Sequence, residues 1–134
     1  MFCNRWLALF GPFFFVIFTI NSSASMTDEQ MEKYIVLKLK RNDRVLRLNE
    51  KSLGDDGAKF LAESPLMENV ETLIIYKGEV GDEGVRFLAN SRKLSRLSVL
   101  HLENNRITDR GARAIARSEV FKNLRVLNLY RNKI

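Results

Sequence analysis

The stretch LSVLHLENNRITDRGARAIA at residues 97–116 decides the fold, because its pattern returns along the chain every 27 residues. Leu100 and Leu102 alternate with polar residues, as along a strand that buries one face. A Thr-Asp pair then introduces apolar residues at helical spacing. One unit therefore predicts a short strand at residues 99–103 and a helix near residues 109–118.

The same residue types fill the same slots in successive units. A fixed period of this size is typical of a solenoid, in which each repeat buries its apolar face only against its neighbours. We expect a threonine or aspartate at each helix start to cap its exposed N–H groups, and the glycines to let a helix start approach the neighbouring repeat closely. The recurring slots hold Leu46, Leu73, Leu100 and Leu127; Leu48, Ile75, Leu102 and Leu129; Leu53, Val80, Ile107 and Ile134; Asp28, Asp55, Asp82 and Asp109; and Gly57, Gly84 and Gly111.

Helical spacing also predicts which helix residues face the core. Thr27 and Gln30 form a capping-box pattern at the first helix, although residues 34–39 fit a strand as well, so both interpretations stay open there. The residues expected to face inward are Met31, Tyr34 and Ile35; Ala58, Leu61 and Ala62; Val85, Leu88 and Ala89; and Ala112, Ile115 and Ala116.

These residues resemble the leucine-rich repeat family and, within it, the ribonuclease-inhibitor-like class. The resemblance rests on LxxLxLxxNxL followed by a T/G-D-x-G helix start, and it covers residues 27–134. It implies an α/β solenoid shaped as a horseshoe arc, with short parallel strands on the concave side and helices on the convex side. It also implies that Asn105 and Asn132 bond backbone groups in the turn after the strand; Lys51 and Gly78 replace this asparagine in earlier units, whose turns we expect to be looser.

Residues 1–25 read as a signal peptide. The apolar run at residues 7–20 is shorter than the roughly 20 residues of a membrane span, and small polar residues follow it up to a cleavage site after Ala24 or Ser25. An uncleaved anchor is the alternative. We therefore expect an exported protein, which is either secreted or located in the periplasm or cell envelope. If the segment is not cleaved, it alone would hold the protein on a membrane.

Residues 26–134 form the predicted leucine-rich repeat domain, with about three and a half repeats of 27 residues. The chain ends at Ile134, directly before the next helix that the period predicts, so a C-terminal cap is expected to be missing. Leu127 and Leu129 are then expected to be poorly covered. This open edge could support self-association.

Composition argues against several function classes. Cys3 lies in the leader, so the remaining chain has no disulfide framework and no thiolate metal site. The net charge of +6 is scattered along the chain without interleaved stacking aromatics, which disfavours nucleic-acid binding. His101, the single histidine, has only Glu103 nearby and no nucleophile motif beside it. We expect no catalysis, no metal and no cofactor.

The strand residues that point away from the core are the candidate binding residues. Tyr76 and Tyr130 are the favoured anchors, since exposed aromatics with a polar group are enriched in interfaces. Four strands span only about 14 Å, which favours a short peptide or a partner that also contacts the helices. The candidates are Arg47, Asn49, Ile74, Tyr76, His101, Glu103, Asn128 and Tyr130, edged by Lys77, Asn104 and Arg131.

The leading functional hypothesis is a non-catalytic module that binds a protein or peptide. The alternative is the N-terminal segment of a longer repeat protein or receptor, with no independent function. An enzyme inhibitor or regulator is a third hypothesis.

If the leader is removed, the protein isolated from its native source should begin near Met26. Intact mass spectrometry of the secreted and membrane fractions measures this directly. A mass that retains residues 1–25 in the membrane fraction would instead establish an anchor.

Overall fold

The structure, a computed structural model, describes residues 26–49 and 53–134. The predicted leader, and the Lys51 turn that was expected to be loose, lie outside the described residues. In the described ranges, every helix is too short or too polar to cross a bilayer. The elements in chain order are α1 (Asp28–Leu39), β1 (Val45–Leu48), α2 (Gly54–Glu63), β2 (Thr72–Ile75), α3 (Asp82–Ala89), β3 (Val99–His101), α4 (Asp109–Ala116) and β4 (Val126–Asn128), with 3₁₀ turns at Pro65–Met67, Arg92–Leu94 and Val120–Asn123.

The four described strands form one parallel sheet in the order β1-β2-β3-β4. Leu46 pairs with Leu73, Leu73 with Leu100, and Leu100 with Leu127, so the register of the sheet equals the sequence period. This arrangement confirms an α/β repeat fold. The representative strand and helix each prove two residues shorter than predicted.

The inward side chains of strands and helices share one core. The leucines and isoleucines at the inward positions of β1, β2 and β3 are fully buried, and so are Leu61 and Leu88 of the helices. The predicted inward positions are wrong for Ala116, which is exposed, while Ala112 and Tyr34 are only partly buried. Helix α4 packs on α3 along one flank, which leaves part of its surface open.

Burial decreases towards β4. Leu127 is 43% exposed, although the leucines in the same slot of β1, β2 and β3 have no exposed surface. Leu129 is partly buried. The predicted poor cover of Leu127 is therefore confirmed.

Helix α1 settles the ambiguity at residues 34–39, which are helical. The Thr27 hydroxyl accepts a hydrogen bond from the Gln30 N–H at 3.3 Å, and the Gln30 side chain accepts one from the Thr27 N–H at 3.0 Å. The predicted capping box is thus confirmed. Met31 and Ile35, one helical turn apart, are the residues that α1 buries.

The expectation that threonine or aspartate caps its own helix is confirmed at Thr108, whose hydroxyl accepts a hydrogen bond from the Arg110 N–H at 3.3 Å. Asp55 and Asp82 instead cap the helix of the following repeat. Asp55 Oδ1 accepts hydrogen bonds from the Gly81 N–H at 2.6 Å and the Gly84 N–H at 3.0 Å. Asp82 repeats this with the N–H groups of Thr108 at 2.8 Å and Gly111 at 3.0 Å. Successive helix starts stack side by side, so a carboxylate on one reaches the unpaired N–H groups of the next.

Asp82 also binds the Thr108 hydroxyl through Oδ2 at 2.6 Å. Burial alone would raise the pKa of Asp82, but the hydrogen bonds from Thr108 and Gly111, with the positive charge of Arg110, outweigh it and lower that pKa below its ordinary value. The folded state therefore favours the ionised carboxylate.

The recurring glycines make this contact possible. A Cβ atom at Gly84 would lie 2.6 Å from Asp55 Oδ1, and a Cβ atom at Gly111 would lie 2.6 Å from Asp82 Oδ1. The predicted close approach to the neighbouring repeat is confirmed at Gly84 and Gly111, where the approaching atom is an oxygen of the capping carboxylate. A Cβ atom at Gly57 would instead meet Leu53 of its own repeat at 2.5 Å.

Asparagine links repeats in the turn between each strand and the helix that follows it. The buried Asn105 side chain accepts hydrogen bonds from the Gly78 and Val80 N–H groups and donates one to the Ile75 carbonyl. Asn132 likewise reaches back to Ile107 and Leu102. The turn at Gly78, expected to be loose because it lacks its own asparagine, is therefore held by the asparagine of the next repeat.

A serine slot, which the sequence analysis overlooked, adds a third link. The Ser91 hydroxyl donates to the Ala62 carbonyl, and the Ser118 hydroxyl donates to the Ala89 carbonyl. Ser64, Ser91 and Ser118 follow the 27-residue period, which was the signal that could have revealed them.

Asp82→Asn should lower the free energy of unfolding by about 1–3 kcal/mol at pH 7, because the cap between repeats loses its charge. The pKa of Asp82 is lowered in the folded state, so its stabilisation is complete above the ordinary value of 3.8 and is lost as the pH falls through the lowered value. In urea titrations between pH 7 and pH 2, the free energies of unfolding of the wild type and the variant should converge in acid.

Asp109→Asn is the matched control, since the exposed Asp109 carboxylate has no hydrogen-bond partner in the described residues. An equal loss of stability in this control would contradict the capping role of Asp82.

Gly111→Ala should destabilise the protein by about 1–3 kcal/mol, although alanine is the better helix former by about 1 kcal/mol. The added methyl group would meet Asp82 Oδ1 and, at 2.7 Å, Ile107 Cγ2. In an Asp82→Ala background the cost should shrink, because one of the two close contacts is gone. Additive losses in this double-mutant cycle, measured by thermal unfolding, would show that the carboxylate is not the obstacle.

Candidate functional site

The predicted binding residues do assemble on one surface, which we call the strand face: Arg47, Asn49, Ile74, Tyr76, His101, Glu103, Asn128 and Tyr130. Arg47 pairs with Ile74, Ile74 with His101, and His101 with Asn128 across the sheet, so these residues form a continuous row. Each alternates with a leucine or isoleucine that points into the core, which is why the row faces the opposite side. Arg47, Asn49 and Tyr130 are exposed, and the other five residues are partly buried.

A polar cluster occupies the strand face between β3 and β4. The Asn128 amide donates a hydrogen bond to Glu103 Oε1, and His101 Nδ1 lies 3.7 Å from the same oxygen. Asn128 in turn accepts a hydrogen bond from the Tyr130 N–H at 3.0 Å. The side chains of His101 and Glu103 remain about 29% and 28% exposed, so a ligand could still reach them. The cluster presents fixed hydrogen-bonding groups to a partner.

Two tyrosine–cation pairs lie on either side of this cluster. Lys77 Nζ is 5.3 Å from the centre of the Tyr76 ring, and Arg131 Cζ is 5.3 Å from the centre of the Tyr130 ring. Lys77 and Arg131 share a slot with Asn104, and all three adopt left-handed backbone conformations with φ between 53° and 57°. The sequence indicates that these residues edge the face, but it does not predict their turn conformation or their pairing. Asn104 was the available signal, because asparagine adopts the left-handed conformation more readily than most residues.

The strand face continues at β1 into a cleft of about 520 Å³, which we call the basic cleft. It is lined by Lys38, Arg41, Asn42, Val45 and Arg47, and only Arg47 among them was a predicted site residue. In the sequence the basic residues are scattered along the chain, so this cleft was not predicted. Lys38 lies on α1 and Arg47 on β1, so only the packing of α1 beside β1 brings the two together.

The site offers binding groups more than reacting groups. His101 and Glu103 are two adjacent potential metal ligands, and in the described part of the chain no cluster of three or more histidine, cysteine, aspartate or glutamate side chains could hold a metal. What the face presents is aromatic rings, hydrogen-bonding side chains and positive charge.

Comparison with known proteins supports the repeat interpretation. Residues 94–116 match the family model described as Leucine Rich repeat. The matched residues run from the 3₁₀ turn before β3 to the end of α4, so they cover one strand–helix unit of the fold. No curated protein matches the chain. Leucine-rich repeats commonly bind proteins and are generally non-catalytic.

Proposed function

We propose that this protein is a non-catalytic module that binds a protein or a peptide through its strand face. The observation that carries the proposal is the arrangement of two tyrosine–cation pairs around the cluster of His101, Glu103 and Asn128. Tyrosine gives a large contact area for the loss of few rotatable bonds, and the polar cluster between the pairs provides directional hydrogen bonds.

The proposal also explains how the aromatic rings are prepared for contact. Tyr130 is 65% exposed, and Arg131 lies over its ring. A cation over one side of a ring limits the positions that the ring samples, so less entropy is lost when a partner covers the other side. Ile74, partly buried beside Tyr76, adds apolar surface to the same area.

The size of the strand face limits the length of the partner segment that can contact it. Tyr76 and Tyr130 follow strands that are two apart in the sheet, which separates them by roughly 10 Å. An extended peptide covers that distance with about three residues. A short segment can therefore contact both tyrosines and the cluster at once, whereas a larger folded partner would have to use the helices too.

We extend the proposal to class and location. An α-helix of eight or more residues in each repeat, together with the 27-residue period, supports the ribonuclease-inhibitor-like class, with the strand face on the concave side of a horseshoe. The apolar run at residues 7–20 and the small residues after it support export. A secreted or periplasmic partner then follows.

Tyr76→Ala combined with Tyr130→Ala should abolish peptide binding while leaving the fold intact, because each ring lies on the surface away from the core. A displayed library of random peptides, selected on the immobilised wild-type protein, supplies the ligands. Clones that survive should bind the double variant at least tenfold more weakly, as expected for the loss of interface aromatics worth about 1.4 kcal/mol or more.

The matched control is Lys59→Ala combined with Arg86→Ala. It removes the two cations that lie over Phe87 on the helices, and so disturbs an aromatic–cation site on the other surface. Circular dichroism should be the same for all three proteins. Clones that lose binding to the control variant and keep it to the tyrosine variant would move the site to the helices.

A further inference from the structure

Among the described residues that line the basic cleft, the polar side chains are three cations and one asparagine. Lys38, Arg41 and Arg47 contribute three positive charges. Asn42 uses its side-chain oxygen to accept a hydrogen bond from the Arg44 N–H at 2.9 Å, which leaves its amide NH₂ as a further donor. Val45 is the remaining wall residue. A cleft of this composition has the chemistry to bind an anion.

Within residues 26–49 and 53–134, no carboxylate neutralises these charges. Among the described residues, Lys38, Arg41 and Arg47 have no carboxylate at ion-pair distance, whereas the neighbouring Arg44 pairs with Glu71 at 3.4 Å. Some other surface cations are paired as well: Lys93 with Glu68, and Arg106 with Glu79. Three like charges around one cleft repel each other, and a bound anion would relieve that repulsion.

The end of helix α1 explains the position of only one of the cations of the basic cleft. Lys38 lies in the last turn of α1, where the partial negative charge of the helix end favours a cation, and its Nζ also lies 5.1 Å from the centre of the Tyr34 ring. Arg47 has no such explanation, since it lies on β1 with its side chain exposed. Its charge adds to the cleft without stabilising a helix.

Arg47 also connects the cleft to the proposed binding surface. It lies in the same cross-strand row as Ile74 and His101, and it lines the cleft. A chain that crosses the row from Asn128 towards β1 therefore arrives at the cleft. The order of chemistry along that path is tyrosine and polar cluster, then Ile74, then the cations.

We propose that the basic cleft binds the acidic side chains of a peptide whose neighbouring residues lie across the strand face. This inference names the chemistry of the partner and rests on the function proposed above. The volume of about 520 Å³ accommodates more than one carboxylate, and it falls in the range of ordinary ligand sites. A nucleic acid fits less well, because none of the described lining residues is an aromatic on which a base could stack.

The test uses two fluorescein-labelled peptides and the whole chain. One peptide has a run of glutamates at one end and tyrosines at the other; the second has glutamines in place of the glutamates. In fluorescence anisotropy at low salt, the wild-type protein should bind the glutamate peptide roughly tenfold more tightly than the glutamine peptide. Arg41→Gln combined with Arg47→Gln should remove this preference.

Arg113→Gln is the matched control, since this exposed arginine on α4 is distant from the cleft in the repeat order. It should keep the preference for glutamate. Equal binding of both peptides by the wild-type protein would overturn the inference. An equal loss of preference in Arg113→Gln would overturn it too, because the net charge of +6 would then be responsible.

If the double variant unfolds early in a thermal melt, Arg41→Gln alone should still halve the preference, since Arg41 is exposed beyond the end of α1.

Two further measurements distinguish a failure of the basic cleft from a failure of the proposed strand face, and a peptide ligand from a nucleic acid. Tyr76→Ala combined with Tyr130→Ala should weaken both peptides alike and leave the ratio between them unchanged. Unchanged binding with the ratio intact would refute the proposed strand face while supporting acid recognition by the cleft. A labelled oligothymidylate that binds more tightly than the glutamate peptide, and is lost in the Arg41 and Arg47 variant, would replace the peptide with a nucleic acid and so overturn the inference.

Discussion

The hydrogen bonds from one repeat to the helix start of the next are the contacts on which the rest of the structure depends. Asp82 accepts two backbone N–H groups and one hydroxyl from the following repeat, and Asp55 does the same for two N–H groups. These contacts explain the strict period, because an insertion between two aspartates would separate each carboxylate from its donors. They also explain Gly84 and Gly111, since a Cβ atom at either position would meet the capping carboxylate.

The short helices show why such links are necessary. Helices α3 and α4 have eight residues each, well below the roughly 12–15 residues that an isolated helix needs to be even marginally stable in water. Each gains stability from a capping group on the previous repeat, from apolar burial against the sheet, and from a serine link at the far end of the preceding helix. Asn105 and Asn132 hold the turns in the same manner. Every repeat depends on contacts with its neighbours, so the stability is a property of the stacked repeats together.

The same rigid stacking creates the surface that we propose for binding. Because the cross-strand register equals the sequence period, equivalent residues of successive repeats become neighbours in a row. A change at one repeat therefore alters one position of the strand face and leaves its frame in place. The inward slots stay apolar to keep the fold, while the outward slots carry arginine, isoleucine, histidine and asparagine in one row. Such variation on a constant frame is suited to recognition of one particular partner.

The sequence by itself determined the repeat, the α/β fold, most of the buried positions and the membership of the strand face. It could do so because period 27 and the alternation along a strand are local patterns that directly fix which side of the sheet a residue faces. The tertiary structure alone decided which repeat these aspartates and asparagines serve, since each side chain reaches across space to a partner 25–30 residues away and no local pattern encodes that direction. It also decided the basic cleft, whose cations lie on α1, in the turn after it and on β1, and come together only when α1 packs beside β1.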